Sequence, residues 1–362
     1  MKAEKMKLFS THKLGNIELK NRIVMAPMTR ARANGNIPND MMATYYAKRA
    51  DAGLIITEGT APSPNGLGYA RIPGIYSQSQ INGWKKITKT VHNNGGKIFM
   101  QIMHTGRVSH PLNMEEGARI LAPSAIALSG EMYTDQEGLK PYPTPEAMSI
   151  EEIKQAQAEF VEAARNAIEA GFDGVEIHAA NGYLANQFLN PASNQRNDIY
   201  GGSAENRNRF VIELAEQVAN AIGADKTGVR LSPYGVFNDM EIYEGIDEAF
   251  ISLARELDKL KLVYLHLVDL SAQGAPEVPQ SIKDSIRSAF KGNVIINGGL
   301  NKDTAEATLN EEKGELVAFG VPFISNPDLV YKIENDLELN APDPDTFFTP
   351  GIEGYLDYPT LN

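Results

Sequence analysis

The sequence contains no cysteine, and this absence excludes several kinds of chemistry at once. Without a thiol the chain can form no disulfide, thiolate metal site or iron–sulfur cluster, and it can use no cysteine nucleophile. Histidine is also scarce, with six in 362 residues. None is paired in an HxH or HxxxH spacing, as metal-ligating histidines often are. We therefore predict no metal site, and the sequence argues against a metal-dependent hydrolase.

Basic residues are fewer than acidic ones, and the sequence has no long apolar run. Lys and Arg number 34 against 46 Asp and Glu, a net charge of -12, which argues against nucleic acid or an anionic membrane as a partner. No apolar run approaches the roughly 18 residues of a membrane helix, and the first ten residues, MKAEKMKLFS, lack an apolar signal core. We expect a cytoplasmic protein that acts on a small molecule, as a monomer or weak homo-oligomer.

Short apolar, β-branched runs alternate with helical stretches along the chain. Most runs are continuously apolar, as parallel strands covered on both faces are. The predicted strands are Arg22–Ala26, Leu54–Thr57, Lys97–Ile102, Gly174–His178, Gly228–Leu231, Leu262–Val268, Asn293–Asn297 and Leu316–Phe319. The helical stretches lie near 40–51, 80–93, 150–170, 204–222, 247–260, 279–290, 303–311 and 327–336, the last starting at Asn326-Pro327. Eight such units predict an α/β fold, a (β/α)8 TIM barrel, with residues 1–362 as one domain.

Two segments fall outside the repeating units. Residues 14–17, Leu-Gly-Asn-Ile, have the composition of a tight turn, and we predict an N-terminal hairpin that closes the bottom of the barrel. Residues 103–148, after the third strand, are rich in Pro, Gly and Ser and too long for an ordinary loop. They are expected to form an excursion over the active face.

Polar residues follow the fourth predicted strand, at the end of a barrel where function resides. That strand ends at His178, and Asn181 and Tyr183 come within the next five residues. Two adjacent donors can hold one oxygen of a substrate, and a phenol can donate a proton. The grouping predicts a catalytic site.

Glycines end the seventh and eighth strands. Gly298-Gly299 and Gly320 would let backbone N–H groups approach an anion, as in the phosphate sites of such barrels. Arg230 and Gln101 lie at neighbouring strand ends. A phosphate-bearing ligand across the top of the barrel is therefore predicted, and its chemistry suggests flavin mononucleotide (FMN).

The chain resembles the old yellow enzyme family of FMN-dependent ene reductases, and in particular the bacterial N-ethylmaleimide reductases. The resemblance covers nearly the whole length and consists of seven motifs in family order. They are NRIVMAPMTR (21–30), ITEGT (56–60), QIMHTGR (101–107), IHAANGYLANQFLNPASNQRNDIYGGSAENRNRF (177–210), VRLSP (229–233), AFG...NPDLV (318–330) and EGYLDYP (353–359).

The resemblance implies a role for each matching residue. Contacts to the flavin ring would come from Pro27, Thr29, Gly59, Gln101 and Arg230. The phosphate would be held by the backbone at Gly298, Gly299, Gly320 and Val321. The substrate's carbonyl or nitro oxygen would be bound by His178 and Asn181, the proton would come from Tyr183, and the pocket would be lined by Tyr69 and Tyr355.

The reaction implied is the reduction of the activated C=C bond of α,β-unsaturated carbonyls, maleimides and nitroalkenes. NADPH (or NADH) would be the transient reductant, with hydride passing from flavin N5 and a proton from Tyr183. The alternatives are a nitroreductase or nitrate-ester reductase, and a flavin redox protein without turnover.

Two residues depart from the family pattern. Val321 stands where many relatives carry Arg at the phosphate, which leaves the source of positive charge there undefined. Met103 stands where several relatives carry Trp, so the shape of the substrate pocket should differ.

Overall fold

The computed structural model describes residues 6–361. The strands within this range are β1 (His12–Leu14), β2 (Ile17–Leu19), β3 (Ile23–Met25), β4 (Leu54–Ile56), β5 (Ile98–Ile102), β6 (Leu121–Ala122), β7 (Glu131–Thr134), β8 (Gly138–Pro141), β9 (Glu146–Ala147), β10 (Gly174–Ala179), β11 (Thr227–Leu231), β12 (Tyr264–Val268), β13 (Asn293–Asn297) and β14 (Leu316–Phe319). The α-helices are α1 (Asp40–Ala47), α2 (Gln78–Asn93), α3 (Ile150–Glu169), α4 (Leu184–Leu189), α5 (Ala204–Ile222), α6 (Ile246–Lys259), α7 (Gln280–Ala289), α8 (Lys302–Asn310), α9 (Val321–Ser325) and α10 (Leu329–Glu334).

Eight strands close into a barrel in the order β10, β11, β12, β13, β14, β3, β4 and β5. Every neighbouring pair is parallel. The predicted (β/α)8 barrel is confirmed, and the predicted strand ends agree with the observed ones to within two residues. Parallel strands need crossover connections, and the helices between them supply these.

Strand alternation separates two apolar layers. Val24 of β3 belongs to a cluster inside the barrel together with Phe99 and Ile295. Its neighbours Ile23 and Met25 belong instead to the larger cluster between strands and helices. Successive side chains of a strand point to opposite faces, so one sequence run serves both layers. The inner cluster fills the end of the barrel where the strands begin.

The predicted N-terminal hairpin is present. Strands β1 and β2 pair antiparallel, with Leu14 opposite Ile17. Leu14 and Leu19 are fully buried and join the inner cluster. The hairpin therefore covers the barrel at the end where the strands begin, and the opposite end is left for the site.

The predicted excursion after β5 lies over the other end. It contains the parallel pair β6–β9 and the antiparallel hairpin β7–β8. Leu128 and Met132 of this segment pack in one cluster with Met103 and Tyr183. The excursion thus forms an apolar wall beside the end of β10.

One helix prediction needs correction, and two short helices, α4 and α9, were not predicted. The last helix does not start at Asn326-Pro327. It begins at Leu329, while Asn326 Oδ1 accepts hydrogen bonds from Lys332 Nζ at 2.9 Å and from the Asn340 backbone N–H at 2.7 Å. Helix α4 was not predicted, because all six of its residues are buried and a helix buried on every side shows no amphipathic period.

Arg49, just after α1, links the first and last barrel units. Its guanidinium donates to the carbonyls of Phe323 at 2.8 Å, Ile324 at 2.9 Å and Tyr45 at 2.8 Å. The side chain is fully buried and lies 3.6 Å from the centroid of the Tyr45 ring. Since Phe323 and Ile324 lie in α9, directly after β14, this side chain spans the closure between β14 and β3.

Replacement of this cation tests its contribution. Arg49→Met should lower the free energy of unfolding by about 3 kcal/mol, because buried carbonyls lose their donors. The ammonium of the exposed neighbour Lys48 donates to the Leu356 carbonyl at the surface, so Lys48→Met should cost at most about 0.5 kcal/mol. Urea denaturation followed by circular dichroism measures both. Equal losses for the two variants would contradict the role of Arg49 in closure.

Candidate active site

A cavity of about 1380 Å³ opens at the carboxyl ends of the barrel strands. This volume exceeds the roughly 300–1,000 Å³ of ordinary ligand pockets, so a cofactor and a substrate can share it. Twelve of the residues predicted from sequence line it: Pro27, Thr29, Tyr69, Gln101, His178, Asn181, Tyr183, Arg230, Gly298, Gly299, Gly320 and Val321.

Two predicted residues do not line the cavity. A Cβ at Gly59 would lie 2.5 Å from the sulfur of Met103; glycine there admits the Met103 side chain, which itself lines the cavity. Tyr355 is fully buried and stacks on Tyr45 with ring centroids 4.1 Å apart. Phe348, from the same C-terminal segment, lines the cavity instead. Tyr355 therefore packs against Tyr45, behind the part of the C-terminal segment that lines the cavity, and does not itself line the cavity.

The floor of the cavity rests on a buried polar network. Glu176 accepts hydrogen bonds from Gln101 Nε2 and His266 Nδ1, both at 2.8 Å. Arg230 donates through Nη2 to Asn297 Oδ1 at 2.8 Å. Glu176 and His266 are fully buried, and Arg230 is almost so. These five side chains come from five neighbouring strands, β5, β10, β11, β12 and β13, which the network joins near their carboxyl ends.

Burial and charge together set the ionisation of this floor. Burial favours a raised pKa for Glu176, but His266 and Arg230 beside it hold that pKa below its ordinary value. Burial lowers the pKa of His266, against the opposing effect of Glu176. Burial, and after it Arg230 and His266, lower the pKa of His178 well below its usual range. At neutral pH the carboxylate is thus the partner of Arg230, and both imidazoles are neutral.

His178 and Asn181 present polar atoms without protein partners. Asn181 has a left-handed backbone with φ 58, a conformation that Asn tolerates better than most residues. Its N–H donates to Ser232 Oγ at 2.9 Å, and its carbonyl accepts from Asn238 Nδ2 at 2.8 Å. Within residues 6–361, neither His178 Nδ1 nor Asn181 Oδ1 has a hydrogen-bond partner. The turn after β10 is therefore fixed by its backbone, which leaves its polar groups available to a ligand.

The Tyr183 hydroxyl lies 3.0 Å from that of Tyr69. Its ring packs edge to face on His178, with centroids 4.9 Å apart. Burial raises the pKa of Tyr183 to about 12 although the Tyr69 hydroxyl lowers it. Burial also raises the pKa of Tyr69, and the Tyr183 hydroxyl raises it as well. Either hydroxyl can donate while both are protonated, but once Tyr183 has lost its proton Tyr69 is the donor. Tyr183 lines the cavity, so its proton can pass to a ligand there.

The opposite side of the cavity is formed by backbone. Gly298 (φ 145) and Gly299 (φ 59) have conformations that favour glycine, and a Cβ at Gly298 would meet the Asp269 carbonyl oxygen at 2.3 Å. Nε of Arg230 is buried without a partner within residues 6–361. A buried cation with one unpartnered N–H and glycine-lined strand ends in one cavity fit a flavin mononucleotide, with its phosphate at β13 and β14.

Several residues of this site were missed from sequence. Glu176 and His178 are two residues apart on β10, so strand alternation points both side chains into the barrel. His266 lies opposite Arg230 in the β11–β12 register. Alternation within each strand could therefore have identified Glu176 and His266. Asn238 carried no such signal, because a loop brings it to Asn181.

Between residues 6 and 361 there is no group of three or more His, Asp or Glu side chains that could hold a metal ion. No helix in that range is long and apolar enough to span a bilayer.

The chain is similar over nearly its whole length to proteins already classified. Residues 7–340 match the NADH:flavin oxidoreductase / NADH oxidase family. The chain is 42% identical over 356 residues to a probable flavin mononucleotide-dependent alkene reductase of Leishmania infantum, covering 96% of each sequence. In structure it is similar to morphinone reductase in complex with tetrahydroNAD, with a TM-score of 0.93, 41% identity and 98% of each chain covered. It is also similar to the old yellow enzyme homologue from Zymomonas mobilis, with a TM-score of 0.93, 39% identity, 98% of this chain and 100% of that chain covered.

Val321 generates a prediction about phosphate affinity. Arg71 and Arg230 are the only Lys or Arg side chains that line the cavity in residues 6–361, and Val321 lies at its edge, 36% exposed. Val321→Arg should tighten the binding of FMN to the apoprotein by about 10- to 150-fold, the worth of a charge-assisted contact.

Fluorescence titration at two salt concentrations measures this affinity. The gain should shrink at high salt, since the new contact is partly exposed. Ile352→Arg adds the same charge in the C-terminal tail, outside the cavity lining, and should leave FMN affinity unchanged. Unchanged affinity for Val321→Arg at both salts would show that the phosphate already has its counter-charge.

Proposed function

The chain belongs to the NADH:flavin oxidoreductase / NADH oxidase family, that of the old yellow enzymes, and on this premise we propose that it is an FMN-dependent ene reductase. Its acceptors are the activated C=C bonds of α,β-unsaturated carbonyls, maleimides and nitroalkenes, N-ethylmaleimide among them. Its reductant is NADPH (or NADH). We also propose that residues 1–362 form one FMN-binding barrel domain, since tail residues such as Phe348 line the same cavity as the strand ends.

One observation carries this proposal. At the end of β10, the Tyr183 phenol stands beside His178, whose Nδ1 has no partner within residues 6–361, and beside the side-chain amide of Asn181, whose Oδ1 has no partner there either and whose Nδ2 can donate. All three residues line the cavity. A proton donor next to an oxygen-binding pair is what the reduction of a carbonyl-activated alkene requires.

FMN, when bound, supplies the hydride. Pro27, Thr29, Gln101 and Arg230 would hold its ring, and the backbone at Gly298, Gly299, Gly320 and Val321 its phosphate. Arg230 keeps its charge despite burial, because Glu176 stands beside it. Its unpartnered Nε would donate to the bound ring.

His178 and Asn181 would bind the oxygen of the acceptor. Because the pKa of His178 is held well below its usual range by burial and by Arg230, the imidazole is neutral at physiological pH and donates through an uncharged N–H. The negative charge that develops on the oxygen during reduction strengthens these hydrogen bonds. Preorganised donors of this kind are typically worth a few kcal/mol in the transition state.

Tyr183 would deliver the proton to the α-carbon. Its pKa of about 12 keeps the hydroxyl protonated at neutral pH. The Tyr69 hydroxyl, 3.0 Å from that of Tyr183, would donate to the tyrosinate left behind and stabilise it. Tyr69 would therefore act through Tyr183. The sequence predicted only that Tyr69 lines the substrate pocket.

The alternatives differ in what they predict for turnover. A nitroreductase or nitrate-ester reductase would use the same oxygen-binding pair with another acceptor. A flavin redox protein without turnover would have no use for the Tyr183 proton. No separate feature of the site favours either alternative over an ene reductase.

The experiment that tests the function starts from the purified protein. Denaturation should release FMN, and NADPH or NADH oxidation under anaerobic conditions should require an added enone, maleimide or nitroalkene. The same assay with nitroaromatics and nitrate esters as acceptors tests the alternative, a nitroreductase or nitrate-ester reductase. Release of FAD, or nicotinamide oxidation that no alkene stimulates, would contradict the proposal.

The proton donor can be separated from the oxygen-binding pair. Tyr183→Phe deletes one hydroxyl, so reduction of the enzyme by NADPH should remain near normal. Its oxidation by a simple enone should slow by about 10²–10⁴, the usual worth of general acid catalysis. Stopped-flow absorbance measures both half-reactions, and quinones, which need no carbon protonation, should react as before.

Tyr76→Phe is the matched control. Tyr76 packs against the same apolar cluster, but its hydroxyl donates to Glu115 at the surface and it does not line the cavity. Both half-reactions should keep their rates in this variant. If enone oxidation stays fast in Tyr183→Phe, the proton comes from another group.

A further inference from the structure

The entrance of the cavity carries large apolar side chains that are open to solvent. Tyr133, Leu139, Phe237 and Phe348 line the cavity with 52%, 61%, 51% and 59% of their surfaces exposed. We call these four residues the apolar rim. They come from three separate segments: the β7–β8 hairpin, the loop after β11 and the C-terminal tail. Exposed apolar surface gathered around one opening indicates a ligand that covers it.

The hairpin and the tail are held in place by a single cation. Arg71 donates through Nε to the Ala31 carbonyl at 2.9 Å and through Nη2 to the Phe348 carbonyl at 2.8 Å. It also pairs with Asp135 in the turn between β7 and β8. Two sides of the rim therefore keep their positions without a ligand, which lowers the entropic cost of using them.

The loop that presents Phe237 is fixed as well. The Asp239 carboxylate accepts from the Ser129 N–H at 2.7 Å and the Ser129 hydroxyl at 2.8 Å. Arg107 donates through Nη2 to the carbonyls of Asn238 at 3.1 Å and Asp239 at 3.2 Å. Phe237 is thus anchored to the excursion that carries Tyr133 and Leu139.

Apolar surface continues from the rim to the reacting groups. Met103, Leu128 and Met132 line the cavity and are buried in one cluster with Tyr183. Tyr133 and Leu139 are cross-strand partners on the other, exposed face of the hairpin and also line the cavity. A substrate bound at Tyr183 would therefore meet apolar side chains both beside the reacting groups and at the entrance.

The charges at the entrance are negative. Glu131, Asp239 and Asp345 are exposed and line the cavity. Among the lining residues, the cation at this level is Arg71, which already pairs with Asp135, while Arg230 is buried on the floor. A substrate that places a negative group beside these three carboxylates would therefore bind against the local potential.

We propose that the substrate of this site is a neutral enone with a large apolar body, whose oxygen lies at His178 and Asn181 and whose apolar part covers the wall and the rim. The inference rests on the proposed function and narrows its substrate class. Small enones react but do not contact the wall and the rim. Carboxylated or phosphorylated enones have a lower kcat/KM than neutral enones of the same length.

Three methyl ketones with the same reactive group test this selection. The first has a methyl group on the β-carbon, the second a heptyl chain, and the third a chain of equal length that ends in a carboxylate. In the wild-type holoenzyme, kcat/KM for the heptyl enone should exceed that for the methyl enone by about 30-fold or more, as burial of several methylenes allows. The carboxylate should fall at least about 10-fold below the heptyl enone at low salt.

The rim is tested by the double variant Phe237→Ala/Phe348→Ala. Its KM for the heptyl enone should rise by about 10-fold with kcat retained, since two apolar surfaces are lost; the methyl enone should change less than about twofold. Ile352→Ala removes an apolar side chain that is 63% exposed in the same tail but outside the cavity lining, and it should change neither substrate.

The charge component has its own variant. Glu131→Gln/Asp345→Asn should raise kcat/KM for the carboxylate about three- to fivefold at low salt and leave the heptyl enone unchanged. An unchanged carboxylate rate would overturn the claim that the entrance selects against anions.

The outcomes distinguish this inference from the function on which it rests. If no enone oxidises the reduced enzyme, the proposed function fails. If the methyl and heptyl enones turn over with equal kcat/KM, only the substrate class is overturned. A third outcome is tested by measuring how fast NADPH and NADH reduce the enzyme. If Phe237→Ala/Phe348→Ala is reduced more slowly than the wild type but still prefers the heptyl enone, the rim binds the nicotinamide nucleotide and not the substrate.

Discussion

The carboxylate of Glu176, fully buried inside the barrel, is the group on which the rest of the site depends. A charge without water must be met by hydrogen bonds and an opposite charge. Gln101 on β5 and His266 on β12 supply the hydrogen bonds, and Arg230 on β11 supplies the charge. Satisfying one carboxylate therefore orients side chains from three other strands. Burial, and after it the same positive neighbour, lowers the pKa of His178, so the electrostatics of the oxygen-binding pair depend in part on the network beneath it.

The two ends of the barrel interior have different roles: the end where the strands begin contributes stability, and the end where they finish holds the reacting groups. Where the strands begin, inward residues such as Val24 and Phe99 form an apolar plug that the N-terminal hairpin covers. Where they end, the inward positions are polar and face the cavity. Loops at this end form the surface that would contact the substrate, and hydrogen bonds from two arginines hold them in place. Arg71 bonds to the tail and pairs with the β7–β8 hairpin, and Arg107 bonds to the loop that carries Phe237. The reacting groups thus stand on rigid strands, while the size and charge of the entrance are set by segments that can vary independently.

Much of this architecture could be predicted from the sequence, because its signals are local. Short runs rich in apolar and β-branched residues marked all eight barrel strands, and the composition of residues 103–148 indicated an excursion. The failures share one cause, since burial in a tertiary context erases local signals. Helix α4 has no polar face from which a period could be read, and Asn326 has the composition of an N-cap but bonds to Lys332 and Asn340 instead.

The sequence by itself determined the fold class and the residues at each strand end, because hydrophobic period and strand alternation are properties of neighbouring residues. It also identified the trio of His178, Asn181 and Tyr183 within one short motif. Only the tertiary structure decided which phenol accompanies Tyr183, that Tyr355 lies behind the cavity rather than in it, and that Glu176 is the counter-charge of Arg230. Those relations join residues tens to hundreds of positions apart, whose distances are set by packing of the whole chain and not by any local preference.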